Sequence, residues 1–422
     1  MRAMKDSGVE WIGEIPEGWS VAPLKVAIQW KSEKGQPDAE VLSLYRDYGI
    51  LPKDSRDDNH NVTSLDTGAY KVVSVGDLVV NKMKAWQGSL AVSTFSGIVS
   101  PAYHVCKITS SAVNKKYLHY LLRNQAYLPE YTRLSTGMRV GQWDLGFDDF
   151  KNIPFLLPPA AEQQRIAAYL DDQCGEIDKV LAKTRESIEE YKKLKQSVIT
   201  EAVTKGIRPN RPMKPSGIEW IGDIPAGWEV CRIKDLFEYR NERNFAPLSE
   251  VNLISLYTDL GVVQHSDLEA TTGNKASHAE GYKLVEKNDI VVNIILCWMG
   301  AIGKSDFTGV TSPAYDVYSP RQNTNSDFYH YLFRTQGFSG DCYKVGKGIM
   351  AMRWRTYSDQ FRAIKVLCPP AGEQDEIVKH LKVQCAEIDR LIAKKEQIIT
   401  ELESYKKSLI YECVTGKREV AG

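Results

Sequence analysis

The sequence predicts an α+β protein in which two globular modules are separated by a pair of long antiparallel coiled-coil helices, with pseudo-twofold symmetry. Three observations predict it: a duplication at near-constant offset, strand and helix signals inside each copy, and a purely helical pattern after each copy.

The duplication is read directly from the residues. Ser7 to Trp19 reads SGVEWIGEIPEGW and Ser216 to Trp228 reads SGIEWIGDIPAGW, an offset of 209. Ser43-Leu44-Tyr45 returns as Ser255-Leu256-Tyr257, and Ser100-Pro101-Ala102-Tyr103 as Ser312-Pro313-Ala314-Tyr315, both at 212. His119-Tyr120-Leu121, Pro158-Pro159, Glu162-Gln163 and Glu176-Ile177-Asp178 return at 211 as His330-Tyr331-Leu332, Pro369-Pro370, Glu373-Gln374 and Glu387-Ile388-Asp389. An offset held over the whole chain marks one structural unit used twice.

Inside each copy, Asp77 to Val80 and Asp289 to Val292 follow turn-like residues and read as strands. Asn114 to Tyr127 and Asn325 to Phe333 place apolar residues at helical spacing. The Pro-Pro pair closes each module, because proline ends a ladder and pre-sets the turn into a helix. The expected boundaries are a first module at 1–158, a first helix at 159–210, a second module at 211–369 and a second helix at 370–422.

In the first helix, Ile177, Leu181, Thr184, Ile188, Tyr191, Val198 and Ala202 keep a 4-3 seam, with Leu194 or Lys195 completing it. Ile388, Ile392, Lys395, Ile399, Leu402, Leu409 and Cys413 repeat it. Charges such as Glu189, Glu190, Lys192 and Lys193 read as a solvated face. Chain order lets the second helix return antiparallel on the first. A seam over 175–203 spans on the order of 40 Å at about 1.5 Å per residue, slightly more than one B-DNA turn of roughly 34–36 Å.

The 54 basic and 54 acidic residues balance. A uniformly basic nucleic-acid binder is thereby excluded, whereas local basic faces are not. The eight cysteines form no C-x-x-C pair and no Cys/His metal-ligand spacing. A reduced, cytoplasmic protein is expected, with Cys174 and Cys385 as small buried residues at matching helix positions. No signal peptide is visible, and no stretch of about 18 apolar residues offers a membrane span.

Catalytic signatures are missing. Gly300-Ala301-Ile302-Gly303-Lys304-Ser305 ends like a phosphate loop, yet Trp298 stands where the first glycine belongs and the matching segment of copy one has no lysine. Gly346-x-Gly348-x-x-Ala351 lacks the strand-turn-helix context of a dinucleotide fingerprint. There is no N/D-P-P-Y/F methyltransferase tetrapeptide. His119 and His330 read as structural residues on a helix. No cofactor or metal is expected.

Taken together, WIGEIPEGW (11–19), WIGDIPAGW (220–228), LPPAAEQQRIA (157–167), CPPAGEQDEI (368–377), VITEAVTKG (198–206) and LIYECVTGK (409–417) resemble the specificity subunit of type I restriction-modification systems over essentially the full length. The resemblance implies that each module is a target recognition domain reading half of a bipartite double-stranded DNA site. It implies that the helices set the gap and dock two methyltransferase subunits, which modify adenine at N6, and that restriction subunits join that core.

Comparing the copies with each other separates scaffold from candidate readers. Gly137 to Asp144 (GMRVGQWD) aligns with Gly348 to Arg355 (GIMAMRWR), and Lys82 to Gly88 (KMKAWQG) with Ile294 to Gly300 (IILCWMG). Glycine and tryptophan agree while the polar residues differ. Arginine donates two bonds to guanine and glutamine bonds bidentately to adenine, each worth about 1–3 kcal/mol of discrimination. Lysines hold phosphates. The candidate DNA contacts are Lys82, Lys84, Gln87, Arg139 and Gln142 in the first module and Lys347, Arg353 and Arg355 in the second. Trp86, Trp143, Trp298 and Trp354 read as loop anchors, and Trp11, Trp19, Trp220 and Trp228 as packing at the module entrance. The unlike polar residues predict two unlike half-sites. Two alternatives stand beside this reading: a coiled-coil scaffold joining two protein-binding modules, and a fused methylase with unrecognised motifs.

Overall fold

The computed structural model describes residues 2–46, 48–56, 66–137, 143–265, 278–348 and 354–421. The chain divides into two compact units, Met1–Arg185 with Glu396–Gly422, and Glu186–Lys395. Each unit therefore holds one copy of the repeat, the start of the helix that follows it, and the end of the other copy's helix.

In the first unit, a four-stranded antiparallel sheet runs in the order Ile28–Lys31, Tyr103–Ile108, Leu78–Asn81, Leu90–Val92. The run Leu78-Val79-Val80 is buried on both faces, which is why it is continuously apolar rather than alternating. Leu78, Val80, Cys106 and Ile108 pack on Tyr117, Leu118, Leu121 and Leu122 of a helix. Val79, Val105 and Ala91 face Leu42, Leu44 and Ile50 of a hairpin, together with Val73 and Val99. The result is a helix, sheet and hairpin in three layers. The strand Ser20–Pro23 pairs with Pro154–Leu157 and so ties the start of the module to its end.

The second unit repeats this plan. Its sheet order is Phe237–Arg240, Tyr315–Pro320, Ile290–Asn293, Ile302–Lys304. Phe328, Tyr329 and Leu332 cover one face, and Ile254, Leu256 and Val285 the other.

The helical reading of Asn114 to Tyr127 is corrected in one respect. Asn114 caps a helix over Lys115–Leu122 by accepting from Lys116 and Tyr117 backbone N–H groups. The next residue to cap is Asn124, whose extended backbone ends that helix and whose side chain starts a 3-10 turn at Gln125–Tyr127. Apolar spacing runs through the break because both pieces bury the same side; a second N-cap outweighs periodicity.

The long helices span Ala160–Lys205 and Ala371–Val414. In the first unit Asp178 pairs with Lys406 (2.6 Å) and Arg185 with Glu403 (2.6 Å), so the two segments run antiparallel. In the second unit Lys195 pairs with Asp389 (2.7 Å) and the Lys395 amine lies 5.6 Å over the Tyr191 ring, again antiparallel. Lys195 rather than Leu194 completes the seam: Leu194 is 48% exposed, while Lys195 is half-buried with its amine on Asp389. Lys195 and Lys406 are repeat equivalents, as are Asp178 and Asp389, so one clasp is used twice.

Candidate nucleic-acid interface

Two segments of each copy meet at the site. In the first unit, Asn81 starts a tight loop: its carbonyl accepts the Lys84 N–H and its side chain the Met83 N–H. A 3-10 turn over Ala85–Gln87 follows and ends at Gly88, whose φ of 83° is left-handed and favours glycine. The second segment is a hairpin, with Ser135–Thr136 paired to Asp144–Leu145. The segments are joined by the Leu145 N–H donating to the Lys82 carbonyl (3.0 Å), by a Lys82–Asp144 ion pair (2.6 Å), and by Trp86 meeting Trp143 edge-on at 5.3 Å.

The second unit builds the same frame from different side chains. Gly300 ends the turn Cys297–Met299 at φ 88°. Lys347 and Arg355 exchange both backbone hydrogen bonds across the hairpin neck, and the Thr356 N–H donates to the Ile294 carbonyl (2.9 Å). Tyr343 sits between two tryptophans, 5.6 Å from Trp298 and stacked at 4.9 Å on Trp354. The indole N–H groups of Trp86, Trp298 and Trp354 all donate to backbone carbonyls, so these rings anchor the loops.

The candidate residues fall as follows. Lys84 and Gln87 are exposed on the first loop, and Lys82 is beside them with its charge met by Asp144. Lys347 and Arg355 are exposed at the neck of the second hairpin, and among the described residues neither meets a carboxylate. Arg139, Gln142 and Arg353 lie outside the described residues. The structure thus brings Lys82, Lys84 and Gln87 against the hairpin of their own unit. Asp144 and Arg355 occupy equivalent neck positions with opposite charge. This inversion was readable from the aligned copies, but only the hairpin pairing shows that it faces Lys82.

The conspicuous motifs resolve into packing. Trp19 and Trp228 are buried, and their indole N–H groups donate to Glu162 (3.0 Å) and Glu373 (2.8 Å). Arg2 holds Glu162 through both oxygens, and Arg211 holds Glu373. The Gln163 amide accepts from the Asn114 N–H and donates to the Ala112 and Pro158 carbonyls. Gln374 likewise accepts from Asn325 and donates to Pro369. The Glu-Gln pair therefore clamps the long helix to its module. Lys304 lies in a strand, with Asp306 and Asp327 each at 2.7 Å, and not on a phosphate loop. Gly346 is small because a Cβ there would stand 2.3 Å from the Trp354 ring nitrogen.

His119 and His330 each accept a backbone N–H on Nδ1, from Val92 and Lys304 respectively (3.2 Å in both). Burial, reinforced by Arg123, pushes His119 down to about 3, and burial with Arg334 pushes His330 down to about 4. Both are neutral structural acceptors near neutral pH. Among the described residues no helix is long and apolar enough to cross a membrane.

A family model described as the type I restriction modification DNA specificity domain matches residues 34–190 and 225–404. The type I restriction enzyme MjaVIII specificity subunit of Methanocaldococcus jannaschii is 24% identical over 426 residues, covering 96% of this chain and 94% of that protein. Two solved structures share the fold at 14% identity. One, a chain from a study of complex assembly and conformational transition in the type I R-M system, has a TM-score of 0.69 and covers 96% of this chain and 99% of its own. The other, the HsdS subunit from Thermoanaerobacter tengcongensis, has a TM-score of 0.53 with 96% and 98% covered. The family model matches twice, once in each copy of the duplicated scaffold, and the chain belongs to the type I restriction-modification DNA specificity family as a specificity subunit, a DNA-recognition component rather than a catalyst.

Proposed function

We propose that this subunit reads an asymmetric bipartite DNA target and directs two methyltransferase subunits, acting at adenine N6, and restriction subunits to it. Residues 1–158 and 211–369 serve as the target recognition domains, and 159–210 and 370–422 as the spacer helices. The observation that carries the reading is one loop-and-hairpin frame used twice with unlike side chains: Lys82, Lys84, Gln87 and Asp144 in one unit, Ile294, Leu296, Met299 and Arg355 at the same places in the other. Identical frames with different polar edges suit two different base sequences. Of the named contacts, Lys84, Lys347 and Arg355 supply phosphate or guanine donors on exposed positions, and Gln87, Arg139, Gln142 and Arg353 supply base-reading side chains.

Single-molecule methylome sequencing of a host with and without this gene tests the reading. The expected result is one methylated motif with two unlike halves and a fixed gap, lost with the gene. A perfectly palindromic motif, or no gene-dependent methylation with the partner subunits present, counts against it.

A further inference from the structure

We propose that the first module grips a DNA phosphate on a basic patch of Lys34, Lys71 and Lys82 beside Trp30, a site that the second module has neutralised. The proposal rests on the DNA-binding reading above and deepens it, because it assigns the two modules unequal shares of the sequence-independent grip.

The patch is built by the backbone. The Val72 N–H donates to the Glu33 carbonyl (2.8 Å), which lays the chain after the edge strand Ile28–Lys31 beside Lys71–Val73 and brings Lys34 near Lys71. The Lys71 amine donates to the Tyr103 carbonyl (2.5 Å) and lies 5.0 Å over the Trp30 ring. Among the described residues it meets no carboxylate. Trp30 is 38% exposed and rests edge-on against Phe147 at 4.5 Å and beside His104 at 5.1 Å. His104 Nε2 is 2.9 Å from the Leu145 carbonyl, at the base of the hairpin that carries Asp144. The patch is therefore continuous with the loop of Lys82 and Lys84.

Charge is unbalanced there. Burial, then Lys34, then Lys82 hold the Lys71 amine below the ordinary lysine value. Asp144 offsets Lys82, and Glu33 lies 3.7 Å from Lys31, so Lys34 and Lys71 are the cations of the patch that meet no carboxylate among the described residues. Crowded cations short of counter-charge fit a phosphodiester, and the exposed indole face gives the adjoining sugar or base an apolar wall.

The second module shows the same geometry with the charge closed off. The Leu284 N–H donates to the Glu242 carbonyl, and Arg243 bridges Lys283. Asp316 stands where the first module has His104, at 2.6 Å from the Lys283 amine, whose side chain is 3% exposed. Arg243 is spent on the Gly281 carbonyl and the Asn241 side chain. Two exchanges, Asp316 in place of His104 and Ile294 in place of Lys82, separate the closed ion pair of the second module from the cationic site of the first.

The test is the salt dependence of the full chain binding a short fluorescent duplex, read by anisotropy. Lys34→Gln and Lys71→Gln are each expected to lower the slope of log K against log[salt] by about 0.9. Lys71→Arg, which keeps the charge, is expected to keep the slope, and this separates a phosphate contact from damage to the fold. An unchanged slope in both glutamine variants overturns the patch and leaves the DNA reading standing. A wild-type chain that binds no duplex at any salt overturns both.

Discussion

At the residue scale, the paired histidines show how a polar group enters a core. Each accepts a strand N–H on Nδ1, which fixes the neutral form. Their folded values of about 3 and about 4 lie below the ordinary histidine value. The sign follows: as pH falls below roughly 6.5 the unfolded chain takes up a proton that the folded chain refuses, so stability drops until the folded value is reached. Each histidine then costs about 1.4 kcal/mol per pH unit in that window. His119→Asn keeps an acceptor near Nδ1 and removes the titration. Between pH 6.5 and 5 the stability gap between wild type and this variant is expected to narrow by roughly 2 kcal/mol in chemical denaturation; parallel curves would show that His119 does not titrate this way. The sequence placed both histidines on equivalent helices and marked them structural. It was silent on the Glu162 and Glu373 clasps, because their tryptophan partners lie more than a hundred residues away along the chain and no local pattern encodes such a pairing.

At the element scale, strands and seam were legible where burial is periodic, and less so where caps and pairing decide. The runs at Leu78 and Ile290 are strands because both their faces are covered. The helix after Asn114 stops short because Asn124 supplies a new cap. The paired strands Ser135–Thr136 and Asp144–Leu145 left no apolar alternation to read, since each is two residues long. In the coiled coil, the apolar seam outweighs the clasp. Leu409 is buried in the first unit's core, and truncating a buried leucine to alanine costs about 2–5 kcal/mol. The Asp178–Lys406 pair is partly solvated, with Asp178 58% exposed, and such pairs contribute about 0–1 kcal/mol. Leu409→Ala is therefore expected to destabilise the chain several-fold more than Asp178→Asn in a urea titration. Equal losses would mean that the antiparallel register depends on the ion pair and not on the seam.

At the scale of the whole molecule, duplication gives one frame two different sets of polar side chains. The frame is the three-layer module, the Glu-Gln clamp and the long helix; the parts whose side chains differ between the copies are the loop after Asn81 or Asn293 and the paired neck at Asp144 or Arg355. Each long helix crosses from one compact unit into the other, at Arg185–Glu186 and Lys395–Glu396. In the proposed function the helices are the ruler that sets the gap between the half-sites. A heptad inserted in both helices at these crossings preserves the 4-3 seam, because seven residues return every side chain to its own face. It lengthens each helix by about 10 Å at roughly 1.5 Å per residue, close to three base pairs at about 3.4 Å each. The expected outcome in methylome sequencing is that both half-site sequences are unchanged while the gap between them grows by about three base pairs. Insertion in one helix alone puts the seams out of step and is expected to abolish methylation. An unchanged gap with the double insertion would remove the helices as the ruler and leave the partner subunits to set the spacing.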